Sequence, residues 1–252
     1  MGGTHLLQAG YYRSLSAWRG CFLFWKVFHL KRIISGVLLD ILPHASGFLY
    51  AEMSFDKTGN EKVSFFSYEQ DRQDILPITT RVYLTHKFGD SYREIMDEVG
   101  DFLSCDAAPL GKNGTVVLFE SGEMYIFASQ GKLVWKGQVT YQEDPVRDLA
   151  VDGKDIWCAV PDGNAVICYS PAEKRVSLRI GGKESSAFEE PVSVSKFGDT
   201  LYVTSRRAQK VRSIHLPDYD VQDYRKFREP VHKFFRVEDR EYVVLDSGVY
   251  VL

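Results

Sequence analysis

Three stretches of this chain share one pattern: PVRDLAVDGKDIWCAVPDGNAVICYS, PVSVSKFGDTLYVTSRRAQKVRSIHL and PVHKFFRVEDREYVVLDSGVYVL. Each opens on a proline (Pro145, Pro191, Pro230), runs through an apolar segment, turns on Gly or Asp, and continues into a strand-like run, IWCAV, LYVTS or YVVLD. β-branched and aromatic residues between turn residues are the mark of strands. The spacings Pro145 to Pro191 and Pro191 to Pro230 fall near the ~40–50 residues of a four-stranded propeller blade. A chain that repeats such a unit buries each apolar sheet face against the next unit, and the pattern predicts an all-β fold, a β-propeller.

Two earlier stretches fit the same frame. LSCDAAPLGKNGTVVLFESGEMYIFASQGKLVWKGQ divides into VVLFE, EMYIFAS and KLVWKGQ around Gly114, Gly122 and Gly131, and GVLLDILPHASGFLYAEMSFDKTGNEKVSFFSYEQ divides into VLLDIL, GFLYAEMSF and EKVSFFSYE. Five four-stranded blades result, the last with three strands only. An open end would leave a row of unpaired backbone groups, so a closing strand from the N-terminal side is expected, and HLKRIISG, residues 29–36, is its candidate. The alternative is a six-bladed ring that recruits Trp18 to Phe28. The domain reading is a single propeller over residues 29–252, preceded by an extension, residues 1–28, to which no element is assigned.

WRGCFLFWKVFHLKRII is apolar and aromatic but interrupted by Lys26, His29 and Lys31. Its apolar core is short for a signal peptide, lies late, and is followed by no small-residue cleavage site. A transmembrane helix needs ~18 or more uninterrupted apolar residues. No transmembrane segment is expected, and the compartment is read as cytoplasmic. The 252 residues are 44% hydrophobic and 26% charged, the composition of a soluble globular protein. A net charge of −3 and a pI near 6.1 argue against nucleic acid as a partner, because that binding neutralises phosphates with Lys and Arg. The basic run SRRAQKVR falls on a hairpin in the blade frame, where charge is solvated.

Cys21, Cys105, Cys158 and Cys168 have no compact metal-ligand spacing. Cys158 and Cys168 fall on neighbouring strands, where a disulfide is conceivable if the register aligns them, but without a secretory signal the reading is buried free thiols. Asn113-Gly114-Thr115 matches a glycosylation triplet, which matters only in a secreted chain. No GxSxG, HExxH, GxxxxGK[ST] or GxGxxG occurs, and no catalytic residue is assigned.

AFEEPVSVSKFGDTLYVTSRRAQKVRSIHL resembles a blade of the NHL-like propellers, which are similar in architecture to the gluconolactonase-like propellers. The matching features are the Phe before EEP, the strand after Pro191, the LYV strand and the V-x-x-I strand after it. The likeness covers mainly residues 100–252. It departs from the pattern where an Asp often follows the LYV-type strand: this chain has Thr204-Ser205 there, and Pro161 in the preceding blade, while Asp246 supplies the residue in the last. The resemblance implies an architecture, and it places ligands at the central channel and its mouth.

Aligning the blade starts puts Asp40, Asp106 and Asp148 at equivalent positions, with Val194 and Lys233 in the other two blades. Three carboxylates facing one axis would offer oxygen ligands to Ca²⁺ or another divalent cation. The competing reading gives each Asp a local turn, bonding nearby backbone N–H groups. Arg147, His232 and Lys233 would stand at the channel mouth. Gluconolactonase-like enzymes hold a metal in this general place, but no motif match fixes their ligand set on this chain. The leading function is a non-enzymatic scaffold that binds a protein or peptide partner through blade loops or channel mouth. The alternatives are a metal-dependent lactonase or hydrolase of gluconolactonase-like type, and a carbohydrate-binding propeller using Tyr68, Tyr141 and Tyr219.

Overall fold

The computed structural model describes residues 30–36 and 38–252. The first strand, β1 (Lys31–Ile34), belongs to the last blade. Blade 1 is β2 (Leu38–His44), β3 (Gly47–Phe55), β4 (Glu61–Glu69) and β5 (Asp74–Ile78). Helices α1 (Thr80–Phe88) and α2 (Tyr92–Val99) follow. Blade 2 is β6 (Cys105–Leu110), β7 (Gly114–Phe119), β8 (Glu123–Phe127) and β9 (Leu133–Gln138). The two-residue strands β10 (Thr140–Tyr141) and β11 (Asp144–Pro145) pair in the connection to blade 3. Blade 3 is β12 (Asp148–Asp152), β13 (Asp155–Val160), β14 (Ala165–Ser170) and β15 (Arg175–Gly181). Blade 4 is β16 (Pro191–Phe197), β17 (Thr200–Ser205), β18 (Lys210–His215) and β19 (Asp220–Lys226). Blade 5 is β20 (Val231–Val237), β21 (Arg240–Leu245), β22 (Gly248–Val251) and β1.

All five blades are antiparallel meanders, and the fold is the expected five-bladed propeller. The ring closes as expected too, with β1 paired to β22 through Lys31↔Val251 and Arg32↔Tyr250. Gly248 makes the closure possible: its φ is +134°, and a Cβ there would lie 2.1 Å from the Ile34 carbonyl oxygen. Residues 1–28, including the Trp18–Phe28 stretch of the six-bladed alternative and Cys21, lie outside the described residues.

Apolar layers between neighbouring blades form the core. Leu118 and Met124 of blade 2 meet Ile156 and Cys158 of blade 3, and Trp157 and Ala159 meet Val194, Leu201 and Val203 of blade 4. Between blades 5 and 1 the layer is aromatic, with the fully buried Phe48 ring 5.3–5.5 Å from Tyr242 and Phe235. Large flat rings bury much area while keeping the favoured edge-to-face geometry. Cys158 and Cys168 face opposite layers and are free thiols, as is Cys105.

Blades 1 and 2 are separated by a wedge that the strand pattern leaves unassigned. Thr79 caps α1, accepting a hydrogen bond from the Val82 N–H, and Gly89, at φ +81°, ends it. Tyr83 packs toward Phe65 of blade 1, while Leu84 and Phe88 pack toward Val117 and Phe127 of blade 2. Among the described residues, no helix is long and apolar enough to cross a membrane.

Candidate functional site at the channel mouth

The first strand of each blade faces the axis, where β6 meets β12, β12 meets β16, β16 meets β20, and β20 meets β2. One residue of each occupies the same ring position, opposite the fifth residue of the second strand. These residues are Asp40 (opposite Ala51), Asp106 (Leu118), Asp148 (Ala159), Ser193 (Thr204) and Lys233 (Val244). The expected Val194 is corrected to Ser193. Pro191 pairs with Ser205 as Val231, not Pro230, pairs with Leu245, so the blade 4 proline stands one residue later in the frame and Ser193 aligns with Lys233. Val194 falls in the layer against blade 3, because strand side chains alternate faces.

A cavity of about 500 Å³ opens over this ring, and Asp40, Asp106, Arg147, Asp148, His232 and Lys233 all line it, with Ser193, Glu120, Arg206 and Asp246. All six sequence-derived candidates therefore meet at one place. Their chemistry differs from three open carboxylates. Asp40 Oδ1 accepts from the Ile41 N–H at 2.7 Å; its Oδ2 accepts from Tyr83 Oη at 2.7 Å and Lys87 Nζ at 2.5 Å. The Lys87 side chain, reaching in from α1, is 0% exposed and also donates to the Phe102 carbonyl. Asp148, 4% exposed, accepts from the Leu149 N–H at 2.9 Å through one oxygen and from the Val194 N–H at 2.8 Å through the other, tying blade 3 to blade 4. Asp40 and Asp148 thus do bond backbone N–H groups at the strand starts.

Asp106 is different. Among the described residues its one side-chain hydrogen bond is with Lys233 Nζ, at 3.4 Å, and the ammonium stands 3.9 Å from Asp148 Oδ1. Lys233 reaches across the axis from blade 5 to blades 2 and 3. Burial pushes the Asp106 carboxyl above its ordinary pKa and Asp148 adds to the shift, while Lys233 and Lys87 oppose it. For Lys233 burial pulls the other way, but Asp106, Asp148 and Asp40 together hold its pKa above the usual lysine value.

At the rim, His232 Nε2 lies 2.5 Å from Asp246 Oδ1. Arg206 lies 3.5 Å from Glu190. Arg147 is exposed, and its side chain has no hydrogen-bond or ion-pair partner among the described residues. Ser193, 3% exposed, carries a buried hydroxyl with no partner. Among the described residues, no cluster of three or more His, Cys, Asp or Glu has metal-binding geometry. The Cys105 thiol contacts the Phe102 carbonyl, and burial raises its pKa to about 12, so it is no nucleophile near neutrality. The tyrosines considered for carbohydrate are dispersed: Tyr68 is buried in the blade 5–blade 1 layer, Tyr141 is held by Arg179, and Tyr219 is exposed near Trp157.

No protein-family model matches this sequence, and no curated protein matches it. Solved structures resemble it in fold. A streptogramin B lyase superposes with a TM-score of 0.54 at 11% identity, covering 88% of this chain and 96% of that one. A catalytically inactive virginiamycin B lyase from Staphylococcus aureus with quinupristin gives 0.52 at 9% identity, over 85% and 79% of the two chains. The WD40 β-propeller domain of Doa1 gives 0.50 at 11% identity, over 84% of this chain and 62% of that one. At these identities the likeness is one of fold, and propellers with this architecture carry unrelated activities.

Proposed function

We propose that this propeller is a non-enzymatic binding module whose channel mouth holds a segment of a protein or peptide partner. The observation that carries this reading is the use of the deep carboxylates. Both oxygens of Asp40 and of Asp148 accept hydrogen bonds from the protein itself. They brace the ring and are poorly placed to serve as bases or as ligands of a cation. No hydroxyl or thiol lining the cavity is hydrogen-bonded to a histidine or carboxylate, as nucleophile activation requires. The rim, in contrast, presents Arg147, Arg206, Glu120 and the His232–Asp246 pair around a concave opening, a surface suited to polar recognition. The WD40 propeller of Doa1 offers a precedent of fold alone.

The metal-dependent lactonase reading requires Asp40, Asp106 and Asp148 to share a divalent cation such as Ca²⁺, and it would displace Lys87 and Lys233 from their carboxylates. A photo-crosslinking residue at Arg147, with a control position on the outer strand β15, tests the binding reading. One partner should crosslink at the mouth and not at β15. Its affinity should fall about tenfold in the Arg147→Ala, His232→Ala double variant, a loss of ~1.4 kcal/mol. Turnover of a lactone that requires Ca²⁺ and is lost in Asp106→Asn would refute the proposal.

A further inference from the structure

The inner ring is short of positive charge at one place. Asp40 is neutralised at contact distance by Lys87, whose ammonium is fully buried. The remaining two carboxylates, Asp106 and Asp148, share one ammonium, Lys233, at 3.4 and 3.9 Å. Both distances exceed the ~2.7–2.9 Å of a charge-assisted N–H···O bond, so Lys233 is seated firmly on neither. Asp148 is already satisfied by two backbone N–H groups. Asp106 is not: one oxygen makes a long contact with Lys233, and the other has no partner among the described residues, on a side chain 29% exposed at the cavity.

Ser193 is a second, independent sign of an unfilled position. It occupies the ring site equivalent to the aspartates and to Lys233, lines the same cavity, and is 3% exposed, yet its hydroxyl has no partner. Buried hydroxyls usually find partners; Ser195, Thr204 and Ser205 of the same blade also lack one, and Ser193 is the one of the four that lines the cavity. A carboxylate with an open oxygen and an unpaired hydroxyl on one ring form a set of acceptors that suits a group bearing several N–H donors and a positive charge. An anion would meet Arg147 and Arg206 at the rim, but on the ring itself it would face Asp106 and Asp148, with Lys233 already engaged by both.

We infer that the channel is a binding site for a cationic side chain, the ammonium of lysine or the guanidinium of arginine, which seats on Asp106 and Ser193 while the rest of its peptide lies against the rim. This rests on the partner-binding reading above and specifies the chemistry the partner presents. Lys233 is then a resident competitor: it partly compensates Asp106 in the empty channel and must yield when the incoming cation arrives. The rim carries both signs, Glu120 and the His232–Asp246 pair beside Arg147 and Arg206, so the assignment rests on the ring and not on the rim.

The test uses fluorescein-labelled, blocked pentapeptides Gly-Gly-X-Gly-Gly, with X as Lys, Arg, Gln or Glu, titrated against the full chain at 0.05 and 0.15 M salt. The Lys or Arg peptide should bind at least tenfold more tightly than the Gln peptide. Asp106→Asn should abolish that preference, and Ser193→Ala, which removes only an unpaired hydroxyl, should weaken it three- to tenfold. Lys233→Met, which removes the resident cation, should strengthen it several-fold; a purely structural Lys233 would not do so. Preference for the Glu peptide would overturn the inference while leaving a peptide-binding mouth intact. Lys or Arg binding that Asp106→Asn does not alter would overturn it as general surface attraction. Failure of all four peptides to bind would overturn it as well, and the crosslinking experiment would then judge the broader reading on its own.

Discussion

Asp148 and Asp106 occupy the same ring position on adjacent blades but touch different things, and their replacement should have opposite effects. Asp148 satisfies two backbone N–H groups, Leu149 and Val194, the second on the next blade. Asp148→Ala leaves both without an acceptor, and unsatisfied buried donors cost ~1–3 kcal/mol each. A loss of about 2–4 kcal/mol, read as a melting point lower by ~5–10 °C, is the expected outcome. Asp106 braces no backbone group, and burial holds its pKa above the ordinary value, with Asp148 adding to the shift against Lys233 and Lys87. A carboxyl whose pKa is raised by folding stabilises the fold in its neutral form. That contribution is complete below the unfolded-state pKa of ~3.9 and is lost as pH rises through the higher folded-state value. At pH 7 Asp106→Asn should therefore melt at or above the native protein, and the difference should close as pH falls below about 4. An Asp106→Asn protein clearly less stable than the native one at pH 7 would show that Lys233 outweighs the burial.

At the scale of elements, the closing strand is held in a geometry that only glycine permits. Gly248 combines a φ of +134° with the close approach to the Ile34 carbonyl oxygen, so Gly248→Ala forces β1 to withdraw from β22. The expected cost is about 2–4 kcal/mol from backbone strain and overpacking. Hydrogen exchange should locate it: amides of β1 and β22 lose protection while those of blade 3 keep theirs. Uniform loss around the ring would mean that closure is not local. Much at this scale was legible in the sequence, because prolines, Gly/Asp turns and strand-length apolar runs punctuate each blade, and the missing fourth strand of blade 5 pointed back to residues 29–36. The helical wedge was not read, although Thr79, Gly89 and Gly100 mark its starts and stops, because a search for strand periods passes over it. Lys87, 47 residues from Asp40 in sequence, was lost with the wedge. Ser193 was missed because the blades were aligned on their prolines, and Pro191 occupies the place of Val231 and not of Pro230.

Across the whole molecule, ring closure joins the two ends of the described chain, and this sets how the protein unfolds. Apolar layers join each blade to the next, and between blades 1 and 2 side chains of the wedge take part in them. A ring held this way has no terminal unit to fray first, provided β1 stays on β22. A covalent bond across that pair tests the point. Arg32 lies opposite Tyr250, and opposed residues of antiparallel strands place their Cβ atoms ~4.5–5.5 Å apart, near disulfide geometry after a small adjustment. An Arg32→Cys, Tyr250→Cys disulfide would enclose nearly the whole described chain. For so long a loop the lost entropy of the unfolded state corresponds to as much as ~5 kcal/mol, less any strain. If opening at β1–β22 is the first step of unfolding, the oxidised variant should also unfold at least tenfold more slowly than its reduced form. A gain in equilibrium stability with no change in unfolding rate would place the first opening elsewhere, and the step between blades 1 and 2, where the helical wedge is inserted, would be the place to look.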